Sequence, residues 1–309
     1  MEAAAPVWDA EVLARVRHLH LRARNLTDAL LTGEHRSRRV GQAIEFADYQ
    51  EYVPGMDLRR LDWRVWARSD RLVVRRYETE TELPCTLVVD LSGDLSTGDA
   101  ARGGYPPLES SKAGYAIVLT ATLAYFLHRH GEPVGLEIVA GEGMRYRSLP
   151  ARGGRNHLQS IFLQLASVRP GGTADLKAAL GAVGARVRRR SWVGVVTDGM
   201  EEPANWLPSL AAFARRGADV RLFHLFDPRE WSLDVGAPAL FFSPEGGEAL
   251  AVDPAGAREA FNEVVQEYVD EVRGGVVRWG GRYMSAPTDA PLETVLGKAI
   301  AGGLAGGAR

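Results

Sequence analysis

Three short loops of this chain carry side-chain oxygens that could together bind a divalent cation. They are Asp90-Leu91-Ser92-Gly93-Asp94, Gly171-Gly172-Thr173 and Thr197-Asp198-Gly199. Carboxylate and hydroxyl oxygens are the ligands that a hard cation such as Mg²⁺ prefers, and glycines let a backbone turn tightly around an ion. We therefore predict a site for Mg²⁺ or another divalent cation, whose side-chain ligands are Asp90, Ser92, Asp94, Thr173 and Asp198.

Helices and strands alternate around these loops. Short β-branched runs at residues 86–89 and 192–196 are typical of strands buried on both faces. The same reasoning predicts strands at 134–139, 144–149 and 220–226, and helices at 110–129, 157–166, 175–187 and 206–215. Strands separated by such helices imply right-handed crossovers and a mainly parallel, doubly wound α/β sheet. The three loops should then meet at the carboxyl edge of the sheet, where such folds bind ligands.

The flanking segments have weaker patterns. An amphipathic helix is predicted after Asp9, which would cap it, and Gly33 would end it. Short strands joined by turns are predicted for residues 34–82. After residue 230 we predict a hairpin around 244–247, a helix at 257–272, a strand at 276–279 and a closing helix at 292–300. The chain should therefore have three parts: a helix plus β-rich segment (1–83), an α/β domain (84–230) and an α+β extension (231–309).

Composition excludes several classes of function. The net charge of -2 gives no general attraction to nucleic acid or to an anionic membrane. In the arginine- and tryptophan-rich segment 57–68 and around it, acidic residues alternate with the basic ones, which favours ion pairs over nucleic-acid binding. That segment is either a second interaction surface or an internal ion-pair framework. The single cysteine, Cys85, allows no internal disulfide, and neither a signal peptide nor a membrane-spanning run is visible, so we expect a cytoplasmic protein.

Enzyme signatures are missing from the sequence. It has no Gly-x-Ser-x-Gly elbow, no phosphate-binding loop with Lys-Ser/Thr and no His-x-x-x-His spacing, and His224 falls inside a strand as a core residue. A Mg²⁺-dependent phosphohydrolase remains an alternative because aspartates cluster at strand ends, although no lysine or arginine is evident beside them. A structural scaffold with a degenerate metal site is a third interpretation. The loops could also be ordinary turns and helix caps, with Thr173 or Asp175 as a cap.

The three loops resemble the metal-ion-dependent adhesion site of von Willebrand factor A domains, whose pattern is Asp-x-Ser-x-Ser, then Thr, then Asp. Residues 83–227 would form this von Willebrand factor A-like domain. The segment before it resembles the signature of the domain of unknown function 58 family, as does the later stretch 222–231 with Asp227 and Glu230. The matching upstream residues are Gly33-Glu34-His35-Arg36-Ser37, Gly41, Glu45-Phe46, Glu51-Tyr52-Val53-Pro54-Gly55, Asp57-Leu58-Arg59-Arg60-Leu61-Asp62-Trp63 and Ala67-Arg68.

This resemblance implies a non-enzymatic protein-binding module that acts with a MoxR-type AAA ATPase in the maturation or assembly of a client protein. A metal in the adhesion site would keep one position open for an acidic side chain of a partner. Asp94 departs from the pattern, because it replaces the second serine and brings the formal charge of the three aspartates to about -3 without metal. We therefore expect a site that is closed around its ion or that does not recruit acidic ligands. Gln50 and Met56 also depart from the family pattern.

Overall fold

The computed structural model describes residues 10–37, 46–53, 61–69, 71–77, 83–96, 108, 111–144, 146–231, 239–241 and 250–300. The chain divides into two compact units, one of residues 1–32 and 83–309 and the other of residues 33–82. Several predicted features lie outside the described residues. They are the cap Asp9, Met56, the first part of segment 57–68 (residues 57–60) and the turn at 244–247.

The described elements follow one another along the chain as α1 (Ala10–Ser37), β1 (Phe46–Glu51), α2 (Trp63–Ser69), β2 (Val73–Tyr77), β3 (Cys85–Asp90), α3 (Lys112–Arg129), β4 (Val134–Val139), β5 (Tyr146–Arg152), α4 (Arg155–Ser167), α5 (Leu176–Gly184), β6 (Trp192–Thr197), α6 (Pro203–Arg215), β7 (Asp219–Phe226), α7 (Pro228–Trp231), β8 (Ala239–Phe241), β9 (Leu250–Val252), α8 (Pro254–Arg278), β10 (Arg282–Pro287) and α9 (Leu292–Ile300). A short 3₁₀ helix, Gly93–Ser96, follows β3.

A sheet in the order β10-β7-β6-β3-β4-β5 forms the centre of the larger unit. Neighbouring strands are parallel except at the edge, where β5 pairs antiparallel with β4. The apolar runs of β3, β4 and β6 are buried along almost their whole length, as expected for strands covered on both faces. The predicted mainly parallel, doubly wound sheet is therefore confirmed.

Helices cover both faces of this sheet. Leu87 and Val89 of β3 pack with α1, α3, α4 and α9 on one face, whereas Val88 packs with α5, α6 and α8 on the other. This division follows from the alternation of side chains along a strand. The chain leaves β3 for β4 on one side and later returns to β6 on the other side of β3. The loops after β3 and β6 thus flank the switch point at which doubly wound sheets form their ligand crevice.

The C-terminal region differs from the prediction. Val276 is buried one turn after Val272 on the same face of α8, so the predicted strand at 276–279 is the end of a helix. The strand lies further on, as β10, and pairs in parallel with β7. Residues 282–300 thus extend the central sheet, and helix α1 also packs against it. The compact units consequently differ from the three predicted segments.

In the smaller unit, β1 and β2 form an antiparallel pair, in agreement with the predicted short strands. The predicted end of α1 at Gly33 was wrong, since the helix continues to Ser37. Helix α2 was not predicted. Asp62 directly precedes it, and its carboxylate accepts the backbone N–H of Val65 at 3.4 Å. An aspartate at this position caps a helix by satisfying a backbone donor that has no partner within the helix.

We predict that Leu19→Ala destabilises the larger unit strongly. Leu19 of α1 is fully buried in the core beneath the sheet, so the truncation leaves a cavity and lowers the free energy of unfolding by about 2–5 kcal/mol. Leu21 lies two residues away on the same helix and is 56% exposed, so Leu21→Ala should change stability by less than about 0.5 kcal/mol. Urea unfolding of both variants measures the difference. Equal effects would show that α1 does not pack on the sheet.

Candidate functional site

Hydrogen bonds join the three predicted loops to one another at the carboxyl edge. The N–H of Gly93 donates to the carbonyl of Gly172 at 2.8 Å, and the N–H of Gly171 donates to Leu91 at 3.0 Å. The loop after β6 contacts the start of α5, just after the second loop, through Glu201, whose carboxylate accepts the N–H of Leu176 at 2.7 Å. The side chains that follow β3 and β6 are therefore held on a common framework.

Asp90 lies at the centre of this framework. Its Oδ1 accepts the N–H of Ser92 at 2.9 Å, and its Oδ2 accepts the hydroxyl of Thr197 at 2.8 Å. Thr197 in turn accepts the N–H of Gly199 at 2.9 Å. The Asp90 carboxylate thus fixes the ends of two adjacent strands. Burial and the nearby charge of Asp198 raise its pKa to about 7.

Lys112, at the start of α3, supplies a cation inside the site. Its Nζ lies 2.9 Å from Oδ2 of Asp198 and 2.9 Å from Oε2 of Glu230, and its side chain is only 4% exposed. Burial lowers the pKa of the ammonium, but the charges of Asp198 and Glu230 outweigh burial and raise it above its usual value. The lysine therefore stays protonated and joins the loop after β6 to α7.

The remaining two predicted residues are more accessible. Asp94 is half-buried in the 3₁₀ helix, and its pKa is raised by burial, by Asp198 and by Glu230, against the opposing effect of Lys112. Asp94 therefore interacts electrostatically with Asp198, Lys112 and Glu230. Thr173 lies on the loop attached to Gly93, but its side chain is exposed. The helix cap of α5 is Asp175, which accepts the N–H of Ala178 at 2.8 Å, and Thr173 lies before it.

Side chains of β7, α8 and β10 support the loop after β6 through hydrogen bonds. His224 of β7 is fully buried, and its Nε2–H donates to the carbonyl of Asp198 at 2.9 Å. The hydroxyl of Tyr283, on β10, then donates to Nδ1 of the same ring at 2.8 Å. Tyr268 of α8 donates its hydroxyl to the carbonyl of Gly199. The predicted core role of His224 is confirmed, and the ring also positions the carbonyl next to Asp198.

The family of the chain follows from comparison with known proteins. The family model described as "Protein of unknown function DUF58" matches residues 48–270. The chain belongs to this family. It is 30% identical over 286 residues to Rv1480 of Mycobacterium tuberculosis and to Mb1516 of Mycobacterium bovis, which covers 91% of this chain and 86% of each relative. The family resemblance predicted from the sequence is thereby confirmed.

Two solved structures align with this DUF58 protein at low identity. BatB from Bacteroides thetaiotaomicron has a TM-score of 0.44 at 15% identity, over 71% of this chain and 97% of BatB. The SpRpn10 VWA domain has a TM-score of 0.41 at 12% identity, over 70% of this chain and 94% of that domain. The described strand order shows the mainly parallel, doubly wound α/β sheet that the sequence predicts. No helix in the described ranges is both long and apolar enough to span a membrane.

The donor set does not fit a divalent cation while Lys112 holds its observed position. Its ammonium contacts Asp198, and both carboxylate oxygens of Asp90 already accept hydrogen bonds. Within the described part of the chain, no three His, Cys, Asp or Glu side chains are grouped to hold a metal ion, so hydroxyls would have to complete the shell. The predicted Mg²⁺ site stays a prediction.

Lys112 corrects one argument made from the sequence, which found no cation beside the aspartates. The lysine lies eighteen positions beyond Asp94 and becomes their neighbour only when α3 starts beside β3 and β6. One signal was available. Lys112 is the only charged residue in the first sixteen positions of α3, and it occupies the helix end where the dipole disfavours a cation. A lone lysine at that position indicates carboxylates nearby.

The tryptophan segment of the smaller unit presents an aromatic pair. Trp63 and Trp66 on α2 are 58% and 43% exposed. Their ring centroids are 6.0 Å apart, with the rings nearly perpendicular. Asp62 is buried at the start of the same helix. The described part of segment 57–68 thus exposes two aromatic rings, and the choice between an interaction surface and an internal ion-pair framework stays a prediction.

We predict that His224→Gln removes a pH-dependent component of stability. Burial lowers the pKa of His224 to about 4, against about 6.5 in an unfolded chain. The unfolded state therefore takes up a proton that the folded state does not, and the stability linked to His224 is present above pH 6.5 and lost as the pH falls towards 4. Urea unfolding across this range should show a flatter profile for His224→Gln than for the wild type.

Tyr283→Phe is the matched control for this experiment. It removes the hydroxyl that donates to the ring but retains the imidazole, so the slope between pH 6.5 and 4 should remain. Parallel profiles for the wild type and His224→Gln would contradict the prediction.

Proposed function

We propose that this DUF58 protein is a non-enzymatic protein-recognition module whose binding face is the carboxyl edge of the central sheet. A von Willebrand factor A-like fold suits an interaction module. The observation that supports this face is the joining of its three loops by hydrogen bonds. Backbone hydrogen bonds connect the loop after β3 to the loop before α5, and the side chains of Asp90 and Thr197 connect β3 to β6. A loop set that is already ordered loses little conformational entropy when a partner binds.

The rim of this edge has side chains suited to contact with a protein. Met200 directly follows the Asp198-Gly199 turn and is 60% exposed, which is unusual for a large apolar side chain. Methionine adapts its shape to different apolar surfaces and is common at binding faces. Thr173 and the partly exposed Asp94 supply polar groups nearby in the loop set. An apolar anchor with a polar rim is the usual anatomy of an interface.

The same geometry argues against phosphate chemistry. A phosphohydrolase needs cations directed at phosphate oxygens. Here the ammonium of Lys112 is buried and already contacts Asp198 and Glu230. The carboxylates of Asp94, Asp198 and Glu230 outnumber the one ammonium, and Asp90 adds negative charge whenever it is ionised. The net negative charge of the site repels a phosphate dianion.

We further propose that the partner set consists of a MoxR-type AAA ATPase and a client protein that the pair matures or assembles. The support for this partnership is the family signature in the sequence. The match of the family model to residues 48–270 shows that the chain belongs to this family. The experiment is affinity capture by the full chain of a purified MoxR-type AAA ATPase from the same organism, with binding measured by biolayer interferometry.

Met200→Ala should weaken this binding about 5- to 30-fold, the loss typical of an apolar residue that anchors an interface. Val264 on α8 is equally exposed, at 62%, and lies outside the loop set, so Val264→Ala is the matched control and should bind like the wild type. A Met200→Ala variant with unchanged affinity would remove the carboxyl edge as the binding face. No detectable binding by the wild type would remove the ATPase as the partner.

A phosphatase screen with Mg²⁺ and Mn²⁺ tests the alternative function. We expect no hydrolysis of phosphomonoesters above the rate of an Asp90→Asn control, because the buried oxygens of Asp90 are already committed to Ser92 and Thr197. Turnover that depends on Asp90 would replace the recognition proposal by a phosphohydrolase.

A further inference from the structure

We propose that Lys112 is the resident cation of this site and takes the place of a divalent metal ion, so that the recognition face works without metal. This inference rests on the proposed function for its biological meaning, but its physical content concerns the charge balance of the site alone. It separates this chain from a metal-dependent adhesion site, in which the ion makes the contact.

The first step is position. The Nζ atom of Lys112 lies 2.9 Å from Asp198, which is the last acidic residue of the predicted ligand set. A divalent ion bound to that carboxylate would lie within a few ångströms of an ammonium. At a protein surface, the repulsion energy between two like unit charges about 4 Å apart is several times the thermal energy. The repulsion energy is twice as large when one of the ions is doubly charged.

The second step is that Lys112 is fixed in this position. Its side chain is only 4% exposed and has a second carboxylate partner, Glu230, on α7. Ser111 caps α3 by accepting the N–H of Gly114 at 2.9 Å, which sets where the helix and its first residue begin. Moving the ammonium aside for a metal would separate the buried lysine from both of its carboxylate partners, and unpaired buried charges are costly.

The third step is that the other acidic residues do not need a metal. Asp90 is stabilised by the N–H of Ser92 and the hydroxyl of Thr197. Asp94 is only partly buried, so water solvates part of its carboxylate. The lysine therefore neutralises charge at Asp198 and Glu230, whereas hydrogen bonds stabilise Asp90 and water solvates Asp94.

Isothermal titration with Mg²⁺ and with Mn²⁺, together with melting temperatures at each metal concentration, tests the inference on the full chain. We expect the wild type to show no saturable binding and no metal-dependent rise in melting temperature. Asp94→Ser, which restores the serine of the adhesion pattern but retains the lysine, should behave in the same way. Saturable binding by either protein that is accompanied by stabilisation would overturn the inference.

Lys112→Met supplies the positive arm. It removes the charge but retains much of the apolar side chain, so Asp198 and Glu230 should now attract a metal. We expect saturable Mg²⁺ binding with an affinity at least about tenfold above the detection limit that the wild type sets. Lys112→Arg retains the charge and is the control that should gain nothing. A folded Lys112→Met with no gain would overturn the inference. If Lys112→Met does not fold, the double variant Lys112→Met/Glu230→Gln carries the same test with one less unpaired charge.

Partner capture distinguishes this inference from the proposed function. Capture that is equal in Mg²⁺ and in chelator supports both. Capture that is lost in chelator overturns the inference and leaves the recognition module standing. Failure of capture under both conditions overturns the proposed partner, whereas the metal titrations still decide the role of Lys112.

Discussion

The ion pairs of Lys112 are the interaction on which the carboxyl edge depends. The ammonium connects the first residue of α3 to the loop after β6 through Asp198 and to α7 through Glu230. Lys112 is separated from both carboxylates by more than eighty residues along the chain, so these contacts fix tertiary rather than local geometry. Removing one partner of a buried ion pair costs about 3–5 kcal/mol, because the other charge remains buried without compensation. The edge is consequently an electrostatic unit, and its members have to be considered together.

The C-terminal region is part of this unit and not an appendage to it. Tyr283 reaches His224, and His224 holds the carbonyl of Asp198, so β10 acts on the site through one intervening ring. Tyr268 of α8 holds the next carbonyl, at Gly199. The backbone at Gly199 has a φ of 65°, a conformation that glycine adopts without strain. An A-like domain that ended at residue 230 would lack these supports. The geometry of the turn that carries Asp198 therefore requires residues far beyond the domain boundary that the loop pattern suggests.

The fold was predictable from the sequence where local patterning and burial agree. The runs that became β3, β4 and β6 are β-branched and apolar, and their predicted limits match the observed strands within a residue or two. The strand β10 was missed because its residues, Arg-Tyr-Met-Ser-Ala-Pro, contain no β-branched residue, and its pairing with β7 supplies the stability that local propensity does not. Val276 misled for the opposite reason, since a valine run suits a strand but here continues the buried stripe of α8.

The site shows a similar limit. Side-chain spacing located Asp90, Ser92 and Asp198 correctly at one edge, because parallel strands place their carboxyl ends together. It did not locate Lys112, since the partners of a charge depend on which helix starts beside which strand. Spacing identifies oxygens, but it does not tell whether their counter-ion comes from solution or from the chain.

That distinction decides how the edge can recognise a partner. In a metal-dependent site the ion provides an exposed positive charge, and an acidic side chain of the partner completes its coordination. Here the positive charge is buried beneath carboxylates, and Asp94 and Glu230 are more exposed than the ammonium that balances them. The accessible surface is therefore polar to acidic around the apolar Met200. Because burial raises the pKa of Asp90 to about 7, protonation of this residue can relieve part of the excess negative charge without a metal. Under the proposed function, the charge of the edge thus favours contacts through apolar and hydrogen-bonding groups over an acidic ligand.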